Sequence, residues 1–145
     1  MKVDKLKIAR QFMEAVPHAR ALGIEVVELA EARAVLALPY DLRFVGDPQT
    51  GVLHGGVVFT LMDSAAGTAV ILHPAGPGGT ATMDLRVDYM RAATPGQRIV
   101  ADAVCYHMTR SVAFIRVTAC DDDTARPVAV ATGAFTVDPG MEGRS

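Results

Sequence analysis

Residues Gly51 to Leu72 read GVLHGGVVFTLMDSAAGTAVIL, and this stretch decides the fold. Gly51 to Gly56 is a glycine-rich turn carrying one histidine, His54. It opens into Val57–Leu72, which is apolar on nearly every face. A helix apolar all round is a buried helix. Its one charged residue is Asp63. An unpaired buried carboxylate is costly, so an acid kept at this place points to use, with a salt-bridged or solvent-reaching acid as the structural alternative. The run is not a membrane span: Asp63, Ser64, Gly67 and Thr68 interrupt it before the ~18 apolar residues a span requires.

The elements around this helix follow from pattern. Upstream, apolar residues at Leu6, Ile8, Ala9, Phe12, Met13 and Val16 predict an amphipathic N-terminal helix over about residues 1–20, ended by Pro17. Gly23–Leu29 and Ala34–Leu38 predict two short strands joined at Glu31–Arg33. Tyr40–Thr50 has no period and holds Gly46, Asp47 and Pro48, so it is expected as a loop. His73-Pro74 ends the helix, and Ala75–Gly79 is a loose connection. Downstream the chain is strand after strand. Thr80–Met90 alternates, with Met83, Leu85, Val87 and Tyr89 on one face and Thr82, Asp84, Arg86 and Asp88 on the other. Gln97–Met108, Val112–Cys120 and Val128–Val137 complete the set, and residues 138–145 are expected as a frayed tail. Short-linked consecutive strands pair antiparallel. One curved antiparallel sheet around one apolar helix satisfies the whole pattern, an α+β architecture in a single domain spanning 1–145. Its open edges favour edge-to-edge pairing of two copies.

Composition narrows the function. The 145 residues are 50% hydrophobic and 21% charged, as in a globular domain, and the net charge of −2 gives no basic surface for nucleic acid. Cys105 and Cys120 sit in apolar strands and read as small buried side chains; no Cys/His cluster suggests a metal. The charged N-terminus is no secretory signal, so a cytoplasmic location is the default expectation, with no membrane contact.

The chemistry centres on His54-Gly55-Gly56. The first N–H groups of a helix lack internal partners and sit at its positive end, where they can polarise a carbonyl. The glycines equally suit a tight turn into the helix. Asp63 lies nine residues beyond His54, about 13 Å along the axis. Two groups that far apart on one helix cannot meet one reacting atom unless a second chain supplies one of them.

The sequence GVLHGGVVFTLMDSAAGTA resembles the loop-and-helix signature of hotdog-fold thioesterases of the phenylacetate-pathway, PaaI-like group. The resemblance continues through TMDLRVDYMRAATPGQ (Thr82–Gln97) and HMTRSVAFIRVTA to ATGAFTV. It implies a hotdog fold, a homodimer often paired again into a homotetramer, and hydrolysis of acyl-CoA or aryl-acyl-CoA thioesters. No cofactor is implied beyond the CoA of the substrate. By the same resemblance the Gly55 N–H polarises the thioester carbonyl, and Asp63 of the other subunit is nucleophile or general base. Thr82 positions water or the acid. Relatives often carry an asparagine before the HGG, where Asp47 and Gln49 stand here. Arg91 and Arg110 match positions near CoA in relatives, where arginine forks suit phosphate oxygens. Ser111 offers a hydroxyl and His107 a donor beside them, and Gly56 and Tyr89 are further candidate substrate contacts. Since Thr82 falls on its strand's polar face, it meets the site only at a subunit interface or through a bulge. Two other readings stand beside hydrolysis. One is a non-catalytic acyl-CoA-binding module, which needs no such acid. The other is a hotdog hydratase or dehydratase, for which His54 with Asp63 gives a poor acid–base pair.

Overall fold

The computed structural model describes residues 3–138. Helix α1 (Val3–Ala15) is followed directly by a short helix α2 (Pro17–Leu22). Pro17 therefore begins a helix as well as ending one. Its missing N–H is no loss at a first helical position, and its fixed φ suits the start. Gly23, at φ 69°, closes α2 in the left-handed conformation that glycine adopts without cost.

Strands β1 (Glu25–Ala30) and β2 (Arg33–Leu38) form the expected hairpin. The segment expected as a loop is partly ordered. It holds a 3-10 turn at Leu42–Phe44 and a small hairpin of β3 (Val45–Asp47) and β4 (Val52–Leu53). Such short pairs carry too few residues for any period. The central helix α3 runs Gly55–Ile71, and β5 (Thr82–Tyr89), β6 (Ile99–Met108), β7 (Val112–Cys120) and β8 (Ala129–Thr136) complete the chain.

The six long strands make one antiparallel sheet in the order β1-β2-β6-β7-β8-β5, with α3 packed chiefly on β6, β2 and β7. This is the hotdog arrangement of helix and sheet. Fully buried alanines on both layers (Ala65, Ala66 and Ala69 on the helix; Ala101, Ala103 and Ala113 on the sheet) let the two approach closely around Leu36, Leu61, Met62 and Ile115. Lys5 donates to the carbonyls of His73 (2.7 Å) and Pro74 (3.2 Å), so α1 brings a cation to the negative end of α3. No described helix is long and apolar enough to cross a membrane.

Three expectations need correction. First, β5 and β6 are consecutive but do not pair; β5 crosses to the far edge beside β8. The crossing segment is pinned at the other end of the sheet, where the N–H groups of Met90 and Arg91 donate to Val128 and the Arg91 side chain grips Asp121. Second, α3 is not buried all round. Val58, Leu61, Met62, Ala65, Ala66 and Ala69 are covered, while a stripe through Gly56, Phe59, Thr60, Asp63 and Gly67 stays partly open in the single chain. Third, Asp138 is paired rather than frayed: its N–H donates to Gly79 O and its carbonyl accepts from Gly78. The rest of the expected tail lies outside the described residues.

A bulge in β5 sets the direction of Thr82. Thr82 pairs with Phe135 and Asp84 with Ala134, so Met83 is an extra residue. Directly opposed residues share a face. Phe135 is buried against the helix, its ring near Gly67, and Thr82 is therefore turned to that same side. Gly133 makes room: a Cβ there would stand 2.3 Å from the Asp84 carbonyl oxygen.

Candidate active site

The turn before α3 is held by three hydrogen bonds, and each leaves the Gly55 amide alone. The His54 N–H donates to Phe44 O at 2.8 Å, which ties the turn to the 3-10 segment. The His54 carbonyl accepts from Val57 N–H at 3.2 Å. The His54 ring is the N-cap, its Nδ1 accepting from Gly56 N–H at 2.8 Å. An Nδ1 that accepts carries no proton, so the capping ring is the neutral form with its proton on Nε2. Gly46 suits the close approach of this turn, since a Cβ there would lie 3.0 Å from His54 Cα. Among the described residues the Gly55 N–H has no hydrogen-bond partner. Of the first three amides of α3 it is the free one, at the helix's positive end.

Two turns along the open stripe, Asp63 is half-buried and accepts a 2.7 Å hydrogen bond from the Thr82 hydroxyl through Oδ1. The two alternatives for Thr82 are thus decided by the bulge: within one chain, the bulge brings Thr82 to Asp63. Oδ2 of Asp63 receives no bond from a described residue. Gly55 and Asp63 are eight residues apart, about 12 Å of helix rise. The single chain does not bring them together.

Tyr89, at the far end of β5, donates its hydroxyl to Gly55 O at 2.8 Å. Its ring carbons lie 3.2 Å from where a Gly55 Cβ would stand, so the group that favours glycine at this position is this ring. Burial pushes the Tyr89 phenol above its ordinary pKa. A cavity of about 290 Å³ beside Gly55 and Tyr89 is walled by Leu53, Val58, Met90, Ala93 and Val128.

The remaining expected residues divide. Asp47 anchors its own loop: its carboxylate accepts from Gln49 N–H and the Thr50 hydroxyl, and the Thr50 bond leads in holding its pKa down. Gln49 is exposed beside it. Arg91, expected as a phosphate contact, spends its donors internally, on both oxygens of Asp121 (2.6 and 2.8 Å) and on the carbonyls of Ala92 and Arg126. The Asp121 side chain is fully buried, and this fork holds its carboxyl far below the usual carboxylate range. Within the chain the Arg91 guanidinium braces the β5–β6 crossing. His107 follows a bulge in β6 and stacks on Phe114, with ring centroids 5.9 Å apart. Arg110 and Ser111 sit exposed in the β6–β7 turn, Arg110 lining a depression of about 370 Å³ with Gly76, Pro77, Thr109 and Asp138. Cys105 is buried as expected and Cys120 only half so. Gly133 was not singled out from sequence. The available signal was a glycine inside a strand pattern, which marks close backbone approach.

The family model of the thioesterase superfamily matches residues 50–128, which include Gly55, Asp63, Thr82 and Tyr89. A Halobacterium salinarum protein is 36% identical over 122 residues, covering 80% of this chain and 81% of its own length. The medium/long-chain acyl-CoA thioesterase YigI of Salmonella typhimurium is 30% identical over 143 residues, covering 90% of this chain and 91% of that protein. Among solved structures, a Pseudomonas aeruginosa protein aligns with TM-score 0.79 at 38% identity, covering 91% of this chain and 98% of its own. A point variant of the phenylacetic acid degradation protein PaaI from Thermus thermophilus aligns with TM-score 0.74 at 31% identity, covering 84% of this chain and 99% of its own.

Proposed function

The chain belongs to the thioesterase superfamily, and on that premise we propose that it hydrolyses an acyl- or aryl-acyl-CoA thioester to the free acid and CoA. The observation that carries the reading is the Asp63–Thr82 pair, an acid held by a hydroxyl at 2.7 Å on the one stripe of α3 that the chain leaves open. A protein that only bound acyl-CoA would gain nothing from a carboxylate there.

In this reading the Gly55 N–H donates to the thioester carbonyl oxygen and stabilises the charge that develops on it. Asp63 uses Oδ2, the oxygen that Thr82 does not hold. It either takes a proton from an attacking water or attacks the carbonyl carbon itself, giving an anhydride that water then opens. Both routes expel CoA as the thiolate, which takes up a proton.

The site is shared between two copies. β5 is an edge strand with Met83 and Tyr89 exposed, and edge strands of this kind are pairing surfaces. Antiparallel pairing of two β5 strands about a two-fold axis between Leu85 and Arg86 sets Thr82 of one chain opposite Tyr89 of the other. Each pair of chains then has two sites, each with Gly55 from one copy and Asp63 from the other. A further pairing of such dimers belongs to the same reading, as does a cytoplasmic location. Arg110 and Ser111 at the β6–β7 turn are the contacts for CoA phosphates. Arg91, whose donors go to Asp121 and to the carbonyls of Ala92 and Arg126, is not.

A panel of acyl-CoAs from acetyl to lauroyl, with phenylacetyl-CoA, assayed by release of free thiol, tests the proposal. Turnover of at least one member is expected. Binding without turnover of any member would leave the non-catalytic module in its place.

A further inference from the structure

Tyr89 is the last residue of β5 and 52% exposed, a position that invites a role as substrate contact. Its polar atom, however, is already committed to the protein. The hydroxyl donates to Gly55 O at 2.8 Å, and Cε1 and Cζ lie 3.2 Å from the site of an added Cβ at Gly55.

The bonds of His54 secure the turn only as far as the Gly55 nitrogen. His54 N–H is held by Phe44, its carbonyl by Val57, and its ring by Gly56. Glycine is the most conformationally free residue, and Gly55 stands at the first position of a helix, where the amides lack internal partners. The side chain that fixes Gly55 from outside its own helix is Tyr89. A free amide polarises a carbonyl well only if it already points where the charge will develop.

We propose that Tyr89 is a positioning residue, whose phenol ties the first residue of α3 to β5 and so holds the unpaired Gly55 N–H in place against that strand. This rests on the reading of that amide as the group that polarises the thioester carbonyl. It gives β5 two tasks about 23 Å apart along the strand. At its start Thr82 orients the acid, and at its end Tyr89 orients the polarising turn. When two β5 strands pair antiparallel, the two tasks converge on one site. The register of a single strand then sets both halves of the machinery.

Tyr89→Phe keeps the ring and removes the donor, so it tests the clamp in the full-length protein. Loss of one neutral hydrogen bond at the turn is expected to lower kcat about 5- to 10-fold. KM for the best acyl-CoA should stay within about twofold, because the variant removes no substrate contact. The Gly55 backbone order parameter, from ¹⁵N relaxation, should fall from about 0.85 toward about 0.7, while neighbouring helix amides keep theirs. A substrate-contact role would instead raise KM and leave the Gly55 amide rigid, and that result overturns the proposal. The relaxation measurement does not depend on activity. If the wild-type protein turned over no thioester, the functional reading would fall, and an unchanged Gly55 order parameter in the Phe variant would still refute the clamp.

Discussion

Replacing Thr82 by valine keeps the side chain's shape and deletes one hydrogen-bond donor. The hydroxyl gives Asp63 its 2.7 Å bond, and the partner oxygen belongs to the acid on which both proposed routes depend. A hydrogen bond to a charged group contributes ~1.5–3 kcal/mol. Thr82 is exposed and Asp63 half-buried in the single chain, so the low end applies, ~1.5 kcal/mol after solvent screening. If that free energy serves to hold the carboxylate in its reactive direction, kcat falls about tenfold. Thr82→Ser retains the hydroxyl and loses only a methyl group, so it should keep at least about a third of native turnover. The assay is free-thiol release under saturating acyl-CoA, with thermal melting as the control for folding. Native kcat in the valine variant would refute the reasoning. Equal losses in the valine and serine variants would also refute it, since the methyl group and not the hydroxyl would then matter.

Arg91→Ala should act on stability and not on substrate affinity. It strands the fully buried Asp121 carboxylate, and the melting temperature should drop by about 10 °C with KM unchanged. The same pair predicts a pH dependence. The fork from Arg91 lowers the Asp121 pKa on folding, so the unfolded chain takes up this proton at higher pH than the folded one. Its stabilisation is complete above about pH 5 and drains away as the pH falls through the unfolded value toward the folded one. Acid unfolding of the wild type should carry this contribution, and Arg91→Ala should lose it. Arg110→Ala should raise KM for acyl-CoA about 3- to 10-fold with kcat nearly unchanged, and leave a truncated thioester without the nucleotide unaffected. Equal losses on both substrates would assign Arg110 to the fold instead.

The helix and the strands were legible because each repeats an apolar period over many residues. The order of the sheet was less so. Nothing in the sequence of Met90–Arg98 tells that β5 passes β7 and β8, because the crossing is fixed by Arg91 meeting Asp121, thirty residues away. The side chain of Thr82 illustrates the limit at the site. Strict alternation puts it opposite Met83 and away from the core, and one bulged residue reverses that. The bulge depends on Gly133 in a different strand, so no local pattern carries it. Asp63 stood out because it is a lone acid in an apolar helix. That its stripe is the open one was not legible, since every face of such a helix looks alike in sequence. Arg91 is a candidate phosphate contact by resemblance and Tyr89 a candidate substrate contact close to it in sequence, and the structure commits the polar groups of both to the protein itself.

A site that two chains share can be measured by mixing two inactive proteins. Asp63→Asn removes the acid. Gly55→Pro removes the polarising N–H at a first helical position, where proline is tolerated. Gly55 is not among the glycines with positive φ, and His54 before it is extended at φ −62° and ψ 134°, as a residue preceding proline requires. The new Cβ would meet the Tyr89 ring at 3.2 Å, and that ring is a half-exposed side chain with room to shift. Each variant alone should be nearly inactive and should first be shown folded by circular dichroism. Refolded together, the mixed dimer has one site with both defects and one with neither, so activity should return to about half of native per mixed dimer. A site built within one chain would carry a defect in every copy, and mixing that restored nothing would contradict the shared site.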